Sequence, residues 1–312
     1  MKIIIKSFLL FFLFFQFATA QNNFSHGKLV AINGTKLFVK TMGSGEPIVM
    51  VHGGPGFNYQ YFLPQFKVLA KHYKLIFYDQ RASGKSSADV DSSSITMNNF
   101  VKDLEGIRKF FGLKKMNLYG HSWGGVIAMK YAIEYPENLK SLILSNTMPA
   151  NSRLRDQTYA EIGPRTTRKD IAEKREITST KKFANKDPET MAKYWKILYA
   201  PAFYNRKYID SLNLTFPADY KKRSKLLNHF LKDPSFFKYD LTKELYKIKC
   251  PTLIVTGDYD LMIPESNKII HRTIVSSKLV ILKHCGHFPF VEDKKAYFKL
   301  LENFLSNLNK KK

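Results

Sequence analysis

The sequence predicts an α/β fold with a mostly parallel central sheet that is flanked by helices and interrupted by one inserted helical segment. Short, almost continuous apolar runs recur along the 312 residues, as expected of strands buried on both faces. Segments with helical periodicity separate these runs, and alternating strands and helices form parallel sheets covered on both sides. Because 44% of the residues are hydrophobic and 14% aromatic, the chain can build a sizeable core, which excludes a disordered or fibrous protein.

The strands are predicted in two groups. A leading hairpin consists of Lys28–Ile32 and Lys36–Lys40, joined by Asn33-Gly34, a pair typical of tight hairpin turns. The buried strands that follow are Pro47–His52, Tyr73–Tyr78, Lys115–Tyr119, Ser141–Ser145, Thr252–Thr256 and Lys278–Leu282.

Helices are predicted where apolar residues recur at spacings of three and four. The run Met97, Phe100, Leu104, Ile107 and Phe111 gives one apolar face. Two further segments with helical patterns are Val126–Tyr135 and Lys294–Leu308.

Between residues 148 and 246 the alternation stops. This stretch is polar, with helix-like pieces at Thr190–Leu198 and Tyr220–Leu231. We expect residues 148–246 to form a helical cap, inserted into a core made of residues 21–147 and 247–312.

Residues 1–20 are predicted to be a secretory signal peptide. Two lysines precede an apolar stretch of 11 residues, and Ala18-Thr19-Ala20 then offers the small side chains that a signal peptidase reads. A transmembrane helix needs about 20 apolar residues. We therefore expect cleavage after Ala20 and a secreted or periplasmic chain with no transmembrane segment.

The net charge is strongly positive, +24 for the whole chain and +22 without the two lysines of the signal segment. The basic residues are spread along the sequence, which favours a solvated surface over a specific nucleic-acid site. A non-catalytic protein that binds an anionic surface is the alternative that this charge suggests.

The two cysteines are predicted to be free thiols. Cys250 precedes a predicted strand and Cys285 follows the far end of the next one. A five-residue strand spans about 16 Å, whereas a disulfide needs Cα atoms within about 7 Å.

The segment Gly120-His121-Ser122-Trp123-Gly124 lies where a predicted strand ends and a helix begins. A serine at such a sharp turn is exposed as a nucleophile, and the residues two before and two after must be small to avoid collision. The helix N-terminus also favours developing negative charge. We interpret Ser122 as a catalytic nucleophile.

The loop His52-Gly53-Gly54-Pro55-Gly56 follows the first core strand, and its glycines allow backbone N–H groups to turn inward. Acyl transfer needs two such donors for the oxyanion. We assign them to the backbones of Gly54 and Trp123, and we expect His52 to hold the loop in place.

An acid and a base follow later strands, in the chain order Ser, Asp, His. Of the two acids in Gly257-Asp258-Tyr259-Asp260 we choose Asp260, because Asp258 is close enough to the strand to cap its turn. His287 is the predicted general base. The neighbouring His284 is interpreted as a loop residue, and Cys285 as a packed residue rather than an alternative nucleophile.

The chain resembles the α/β-hydrolase fold family over nearly its whole mature length, and more narrowly the proline iminopeptidase branch (peptidase family S33). The motifs that carry the resemblance are HGGPG at 52–56, DQRASGKS at 79–86, GHSWGG at 120–125, GDYD at 257–260 and GHFPFVE at 286–292. The resemblance implies the same triad, Ser122, Asp260 and His287, the same oxyanion hole, and no metal or cofactor. A serine at position 122 disfavours the relatives with an aspartate nucleophile.

The chain departs from the family pattern in two places, and the second concerns the substrate. The family usually has glycine where this chain has Ala82, and its cap glutamates bind the free amine of the substrate. The corresponding stretch here, 233–237, contains no glutamate, and the sequence does not choose among Glu161, Glu189 and Asp219. Arg81 is open to two interpretations, a structural ion pair or a substrate contact.

These observations predict a secreted serine hydrolase with a small-molecule or short-peptide substrate and no specific nucleic-acid partner. The preferred activity is a proline iminopeptidase-like aminopeptidase, and the alternative is an esterase or another small-molecule hydrolase with the same triad. A buried acidic pair in the cap facing Ser122 would favour the aminopeptidase, and its absence the esterase.

Overall fold

A computed structural model describes residues 24–160 and 162–310. The predicted signal peptide, residues 1–20, lies outside the described residues. The described chain forms an eight-stranded sheet with strand order β1-β2-β4-β3-β5-β6-β7-β8, and the predicted α/β fold with a mostly parallel sheet is confirmed. The strands are β1 Lys28–Ile32, β2 Thr35–Met42, β3 Glu46–Val51, β4 Tyr73–Tyr78, β5 Met116–His121, β6 Leu139–Ser145, β7 Thr252–Gly257 and β8 Ser277–Leu282.

The first two strands form the predicted antiparallel hairpin, and β3 to β8 are parallel to one another. Ile32 pairs with Thr35, so Asn33 and Gly34 make the two-residue turn. Both turn residues have positive φ, 45° and 73°, which this kind of turn requires and which Asn and Gly tolerate best. The hairpin joins the parallel strands through β2, which pairs with β4.

Helices cover both faces of the sheet. They are α1 Met97–Phe110, α2 Trp123–Glu134, α3 Ser152–Ala160, α4 Ile162–Arg165, α5 Arg168–Thr178, α6 Lys181–Ala184, α7 Pro188–Tyr199, α8 Tyr220–Leu231, α9 Pro234–Phe237, α10 Pro264–Thr273, α11 Pro289–Glu292 and α12 Lys294–Lys310. Short 3₁₀ turns occupy Tyr59–Phe62, Gln65–Lys67, Leu69–Lys71, Ser92–Ser94, Pro136–Asn138, Ala200–Ala202, Arg206–Ser211 and Thr242–Lys247.

Successive residues of β3 point into different cores. Val49 and Val51 pack in the cluster that includes α1 and α2, whereas Ile48 and Met50 pack in the cluster that includes α11 and α12. This alternation follows from the two-residue period of a strand, and burial on both faces explains why the run is almost continuously apolar.

Helices α3 to α9 lie between β6 and β7, in the stretch where the sequence predicts the cap. Many of their side chains are exposed, consistent with the polar composition of this part of the chain. Across residues 24–160 and 162–310, no helix combines the length and the apolar character that crossing a membrane requires.

The two cysteines are free, as predicted, and both are buried. Cys250 precedes β7, and Cys285 follows β8 beyond the opposite end of the strand pair. Because β3, β5, β7 and β8 run parallel, the loops after them meet at one edge of the sheet.

Candidate active site

Ser122 lies at the sharp turn between β5 and α2. The strand continues two residues further than predicted, through His121, and α2 begins at Trp123. Ser122 itself has φ 54° and ψ −123°, a conformation that costs a side-chain-bearing residue conformational energy. The Ser122 carbonyl accepts hydrogen bonds from Gly125 N (2.9 Å) and Met148 N (3.1 Å), which hold the turn in this strained form.

The glycines around Ser122 are required because the backbone is crowded. A Cβ atom on Gly124 would lie 2.3 Å from the Val51 carbonyl oxygen, and one on Gly120 would lie 2.6 Å from the Gly124 carbonyl oxygen. On Gly125 it would lie 2.0 Å from Thr147 Oγ1. Larger residues at these positions would push the helix away from the strand and move the serine.

The predicted acid and base are in direct contact. His287 Nδ1 lies 2.8 Å from Asp260 Oδ1, and both side chains are buried. Because a carboxylate oxygen only accepts, Nδ1 carries the proton and Nε2 is left free to accept one. Ser122 and His287 line the same cavity.

Asp260 accepts three further hydrogen bonds. Its donors are Asn146 Nδ2 (2.7 Å), Thr256 Oγ1 (3.1 Å) and Met262 N (3.1 Å). Burial by itself raises the pKa of the Asp260 carboxyl, but His287 and these donors outweigh burial and leave the pKa below its ordinary value. The carboxylate therefore stays ionised while it orients the imidazole.

The other candidates lie elsewhere. Asp258 is partly exposed, with Oδ2 3.7 Å from Lys283 Nζ. His284 is exposed and contacts the Tyr204 ring. Cys285 is buried, and burial first, then nearby carboxylates, raises the pKa of its thiol to about 12, so the thiol stays protonated.

The backbone N–H groups assigned to the oxyanion hole belong to Gly54 and Trp123. In the part of the chain that the structure describes, neither amide donates to a protein acceptor. Gly54 lines the cavity beside Ser122 and has φ 131°, a value for which glycine is strongly favoured.

Gln80 connects the two loops that carry these amides. Its Nε2 donates to the His52 carbonyl (2.5 Å), and its Oε1 accepts from Trp123 Nε1 (3.1 Å). Its backbone N–H donates to His52 Nε2 (3.0 Å), so the His52 proton is on Nδ1, 2.7 Å from the Gly53 carbonyl. Burial lowers the pKa of His52 to about 4, so the ring stays neutral while it makes these two hydrogen bonds.

His121, for which the sequence predicts no role, connects the glycine loop to the base loop. Its Nε2 donates to the His287 carbonyl (3.0 Å), because a carbonyl only accepts, and its Nδ1 therefore accepts from the Tyr61 hydroxyl (2.9 Å). The Tyr61 oxygen accepts in turn from Gly53 N (2.6 Å). Burial and the neighbouring His287 lower the pKa of His121 to about 3. The ring therefore stays neutral, and each of these hydrogen bonds keeps its donor and its acceptor.

The segment between β6 and β7 also contacts the base loop. Tyr199 stacks on the His287 ring at 6.1 Å between centroids and 10° between planes, and the Ala202 carbonyl accepts from His287 N (2.8 Å). Glu292 holds the loop from the other side, accepting from Gly286 N (2.7 Å).

Arg165 connects the same segment to the acid loop. Its Nη1 donates to the Tyr259 carbonyl (2.7 Å), and its guanidinium lies 4.3 Å from the centroid of the Tyr259 ring. The acid and base loops are thus each bound to the chain between β6 and β7.

The DQRASGKS segment is structural. Arg81 forms a buried ion pair with Asp103, which decides between its two interpretations in favour of a structural pair. Asp79 accepts from Tyr59 N (3.0 Å) and Lys85 N (2.7 Å), and burial outweighs these donors and raises its pKa to about 7. Ala82, where the family has glycine, has φ 58°, a conformation that favours glycine.

The cavity over Ser122 has a volume of about 650 Å³ and is mostly apolar. Its walls include Phe57, Trp195, Tyr220, Leu198, Leu227 and Met262. Among the described residues that line it there is no aspartate or glutamate.

The cap acids considered from the sequence are not brought to Ser122. Glu189 is exposed and lines a separate outer groove, and Asp219 Oδ1 accepts from Arg223 Nε at 2.6 Å. Glu161 lies outside the described residues. Phe236, from the stretch where the family has its glutamate, lines the cavity as an apolar group. In residues 24–160 and 162–310, no three His, Cys, Asp or Glu side chains are grouped so as to hold a metal ion.

Comparisons with known proteins agree with this architecture. The α/β-hydrolase fold family model matches residues 46–294. A proline iminopeptidase of Lactobacillus helveticus is 34% identical over 273 residues, which cover 83% of this chain and 89% of the relative.

Two solved structures share the fold. The structure of proline iminopeptidase from Mycobacterium smegmatis matches with a TM-score of 0.65 at 18% identity, and the match covers 90% of this chain and 98% of the iminopeptidase chain. That of a thermophilic esterase from Thermogutta terrifontis has a TM-score of 0.64 at 23% identity and covers 90% and 97%. The chain therefore belongs to the α/β-hydrolase fold family and is a hydrolase related to the proline iminopeptidases.

Proposed function

We propose that the protein is a serine hydrolase that cleaves esters or amides through an acyl-enzyme on Ser122. The observation that carries the proposal is the buried hydrogen bond from His287 Nδ1 to Asp260 Oδ1 at the wall of the cavity that Ser122 also lines. This contact leaves His287 Nε2 as the proton acceptor on the side of the imidazole away from the acid.

In the first half-reaction Ser122 Oγ attacks the substrate carbonyl and His287 takes the hydroxyl proton. The negative charge on the carbonyl oxygen is stabilised by the N–H groups of Gly54 and Trp123. As the tetrahedral intermediate collapses, His287 gives its proton to the leaving alcohol or amine, and the acyl group stays on Ser122. A water molecule then attacks the acyl-enzyme with His287 as the base, and the carboxylic acid product is released from Ser122.

For the substrate we propose first an N-terminal prolyl amide or a similar small residue. The support is the relative named proline iminopeptidase, which this chain matches at 34% identity and over most of both chains. This proposal needs an anionic partner for the substrate amine.

A second candidate, an esterase for apolar acyl groups, has an observation of its own. The described lining of the cavity is apolar and aromatic and includes no carboxylate. A free ammonium group without an anionic partner is costly to desolvate, whereas an alkyl or aryl group gains about 25 cal/mol for each Å² that is buried.

A paired assay on the purified mature chain separates the candidates. Prolyl and alanyl p-nitroanilides would be compared with p-nitrophenyl acetate and butyrate, with Ser122→Ala as the blank. Turnover of the amides that have a free amine, together with loss of turnover when that amine is acylated, would establish the aminopeptidase. Turnover of the esters alone would establish the esterase.

Ser122→Ala should abolish hydrolysis and fluorophosphonate labelling and leave thermal unfolding almost unchanged, because one oxygen atom is removed from the cavity wall. Retained turnover in this variant would refute the triad. A wild-type chain that neither turns over nor labels would favour the non-catalytic alternative suggested by the charge.

We also propose that residues 148–246 act as a cap over the site and that the chain is exported with cleavage after Ala20. Support for export comes from the lysines, the apolar stretch and the small residues of the first twenty positions. N-terminal sequencing of the exported protein tests it, and a mature chain that still begins at Met1 would refute it.

A further inference from the structure

The cavity over Ser122 has one lysine and no arginine among its described lining residues. Lys186 lines it together with aromatic and aliphatic side chains. Most lysines of the described chain are exposed to solvent, so a lysine at the wall of a mostly apolar cavity, with no carboxylate among the described residues that line it, needs an explanation.

The backbone at Lys186 is strained, and its ammonium group is held in place. Lys186 follows the short helix α6 with φ 58°, at a position where glycine is usual. Its N–H donates to the Phe183 carbonyl (2.9 Å), and its Nζ lies 4.3 Å from the centroid of the Phe183 ring, which also lines the cavity. A lysine therefore occupies a position where a glycine would be less strained, and its ammonium group contacts an aromatic ring in the cavity wall.

No carboxylate neutralises this cation within the described residues. The ion pairs at 4.0 Å or less in that part of the chain do not include Lys186. The adjacent Asp187 caps α7 instead, where its Oδ1 accepts from Thr190 N (2.9 Å) and Thr190 Oγ1 (2.7 Å). Ser224 and Asn228, one turn apart on α8, line the same cavity and offer further polar groups.

We propose that Lys186 binds a carboxylate of the substrate, so that the preferred substrate is an ester or amide whose apolar body carries an anionic group. The inference rests on the proposed function, because it assumes that Ser122 attacks the ester or amide bond of this substrate. The apolar walls would contact the body of the substrate, and the Lys186 ammonium group would bind its carboxylate. The dimensions of the cavity would then fix the distance between that carboxylate and the scissile bond.

The test uses p-nitrophenyl monoesters of glutaric, adipic and suberic acid, each beside the neutral compound in which the distal carboxyl is a methyl ester. We expect the kcat/KM of the anionic compound to exceed that of its neutral partner about tenfold at one chain length. Lys186→Met should reduce this ratio to about one, and Lys186→Arg should keep most of it. Lys193→Met, which removes an exposed lysine of the outer groove, is the control with the same change in net charge.

Equal kcat/KM for each pair in the wild type would overturn the inference. A ratio that survives in Lys186→Met, or falls equally in Lys193→Met, would also overturn it, since general attraction by the basic surface would then explain the preference. Thermal unfolding of each variant shows whether it is folded.

A second measurement separates this inference from the proposed function. Binding of monomethyl suberate to Ser122→Ala would be measured by calorimetry, with and without Lys186→Met. Binding that Lys186→Met weakens about tenfold supports the lysine site even if no ester is hydrolysed. Unchanged binding overturns the lysine site, whatever the triad does.

Discussion

Gln80 lies between the two loops that carry the proposed oxyanion donors, and its replacement tests how those donors are held. Gln80→Leu keeps a side chain of similar size but removes the donor to the His52 carbonyl and the acceptor for Trp123 Nε1. Gln80 is only 1% exposed, so water cannot replace either partner easily.

The expected cost can be worked from these contacts. Each buried polar group that loses its partner costs about 1–3 kcal/mol. Two such groups destabilise the fold by about 2–6 kcal/mol, less what the more apolar leucine gains. Loss of one oxyanion donor typically costs 10²–10³-fold in kcat, and a displaced donor costs less, so we expect kcat/KM to fall about 10–100-fold.

The assay is kcat/KM for the ester or amide that the protein turns over, together with the inhibition constant of a boronic acid that forms a tetrahedral adduct on serine. If Gln80 positions the donors, the boronate should lose affinity in parallel with kcat/KM while KM changes little. Trp123→Phe removes the indole N–H and part of the buried ring but leaves the contact between Gln80 and the His52 carbonyl, so it should give a smaller loss of kcat/KM. The double variant should lose less than the sum of both changes, because the two residues share one contact.

A variant that unfolds at a lower temperature but keeps wild-type kcat/KM and boronate affinity would refute the reasoning. Gln80 would then stabilise the loops without setting the distance between the donors.

Two further predictions concern the base loop. Asn146→Gly keeps a residue that tolerates the observed φ of 46° but removes the amide that donates to Asp260 Oδ2 and the Gly286 carbonyl. We expect the pKa of Asp260 to rise, the acid limb of the pH–rate profile to move to higher pH and kcat to fall about tenfold; a profile that superimposes on the wild type would contradict this. His121 has its pKa lowered to about 3 in the folded chain, so its contribution to stability is complete above about pH 6.5 and is lost as the pH falls. Chemical denaturation should therefore show the stability gap between wild type and His121→Gln narrowing by about 1.4 kcal/mol per pH unit below 6.5, and a constant gap would count against a buried neutral ring.

The sequence predicted the three residues of the proposed triad from their positions after strands. Ser122, Asp260 and His287 each come after an apolar run, and parallel strands bring their carboxyl ends to one edge. Their proximity thus followed from topology and required no knowledge of side-chain contacts. The free cysteines were predicted by the same argument.

The supporting residues could not be found in this way. His121 bonds to Tyr61, 60 positions away, and to His287, 166 positions away, and no local pattern encodes such contacts. The predicted end of β5 was two residues short, because periodicity does not show that a strand continues to the point where Ser122 takes a positive φ. Most of the cavity walls come from the stretch between β6 and β7, and the sequence does not show which side chains of that stretch face Ser122.

The contacts of Arg165 and Ala202 with the acid and base loops have a consequence for protein engineering. Exchanging the segment between β6 and β7 with that of a relative is an obvious way to change substrate range. In this chain such a chimera would also change the turn whose Ala202 carbonyl accepts from the His287 amide, and it would lose the Arg165 guanidinium that donates to the Tyr259 carbonyl. An inactive hybrid would then report a displaced histidine rather than a poor match to the new substrate. Transplants should therefore retain Arg165 and the Ala200–Ala202 turn and exchange only the helices around them.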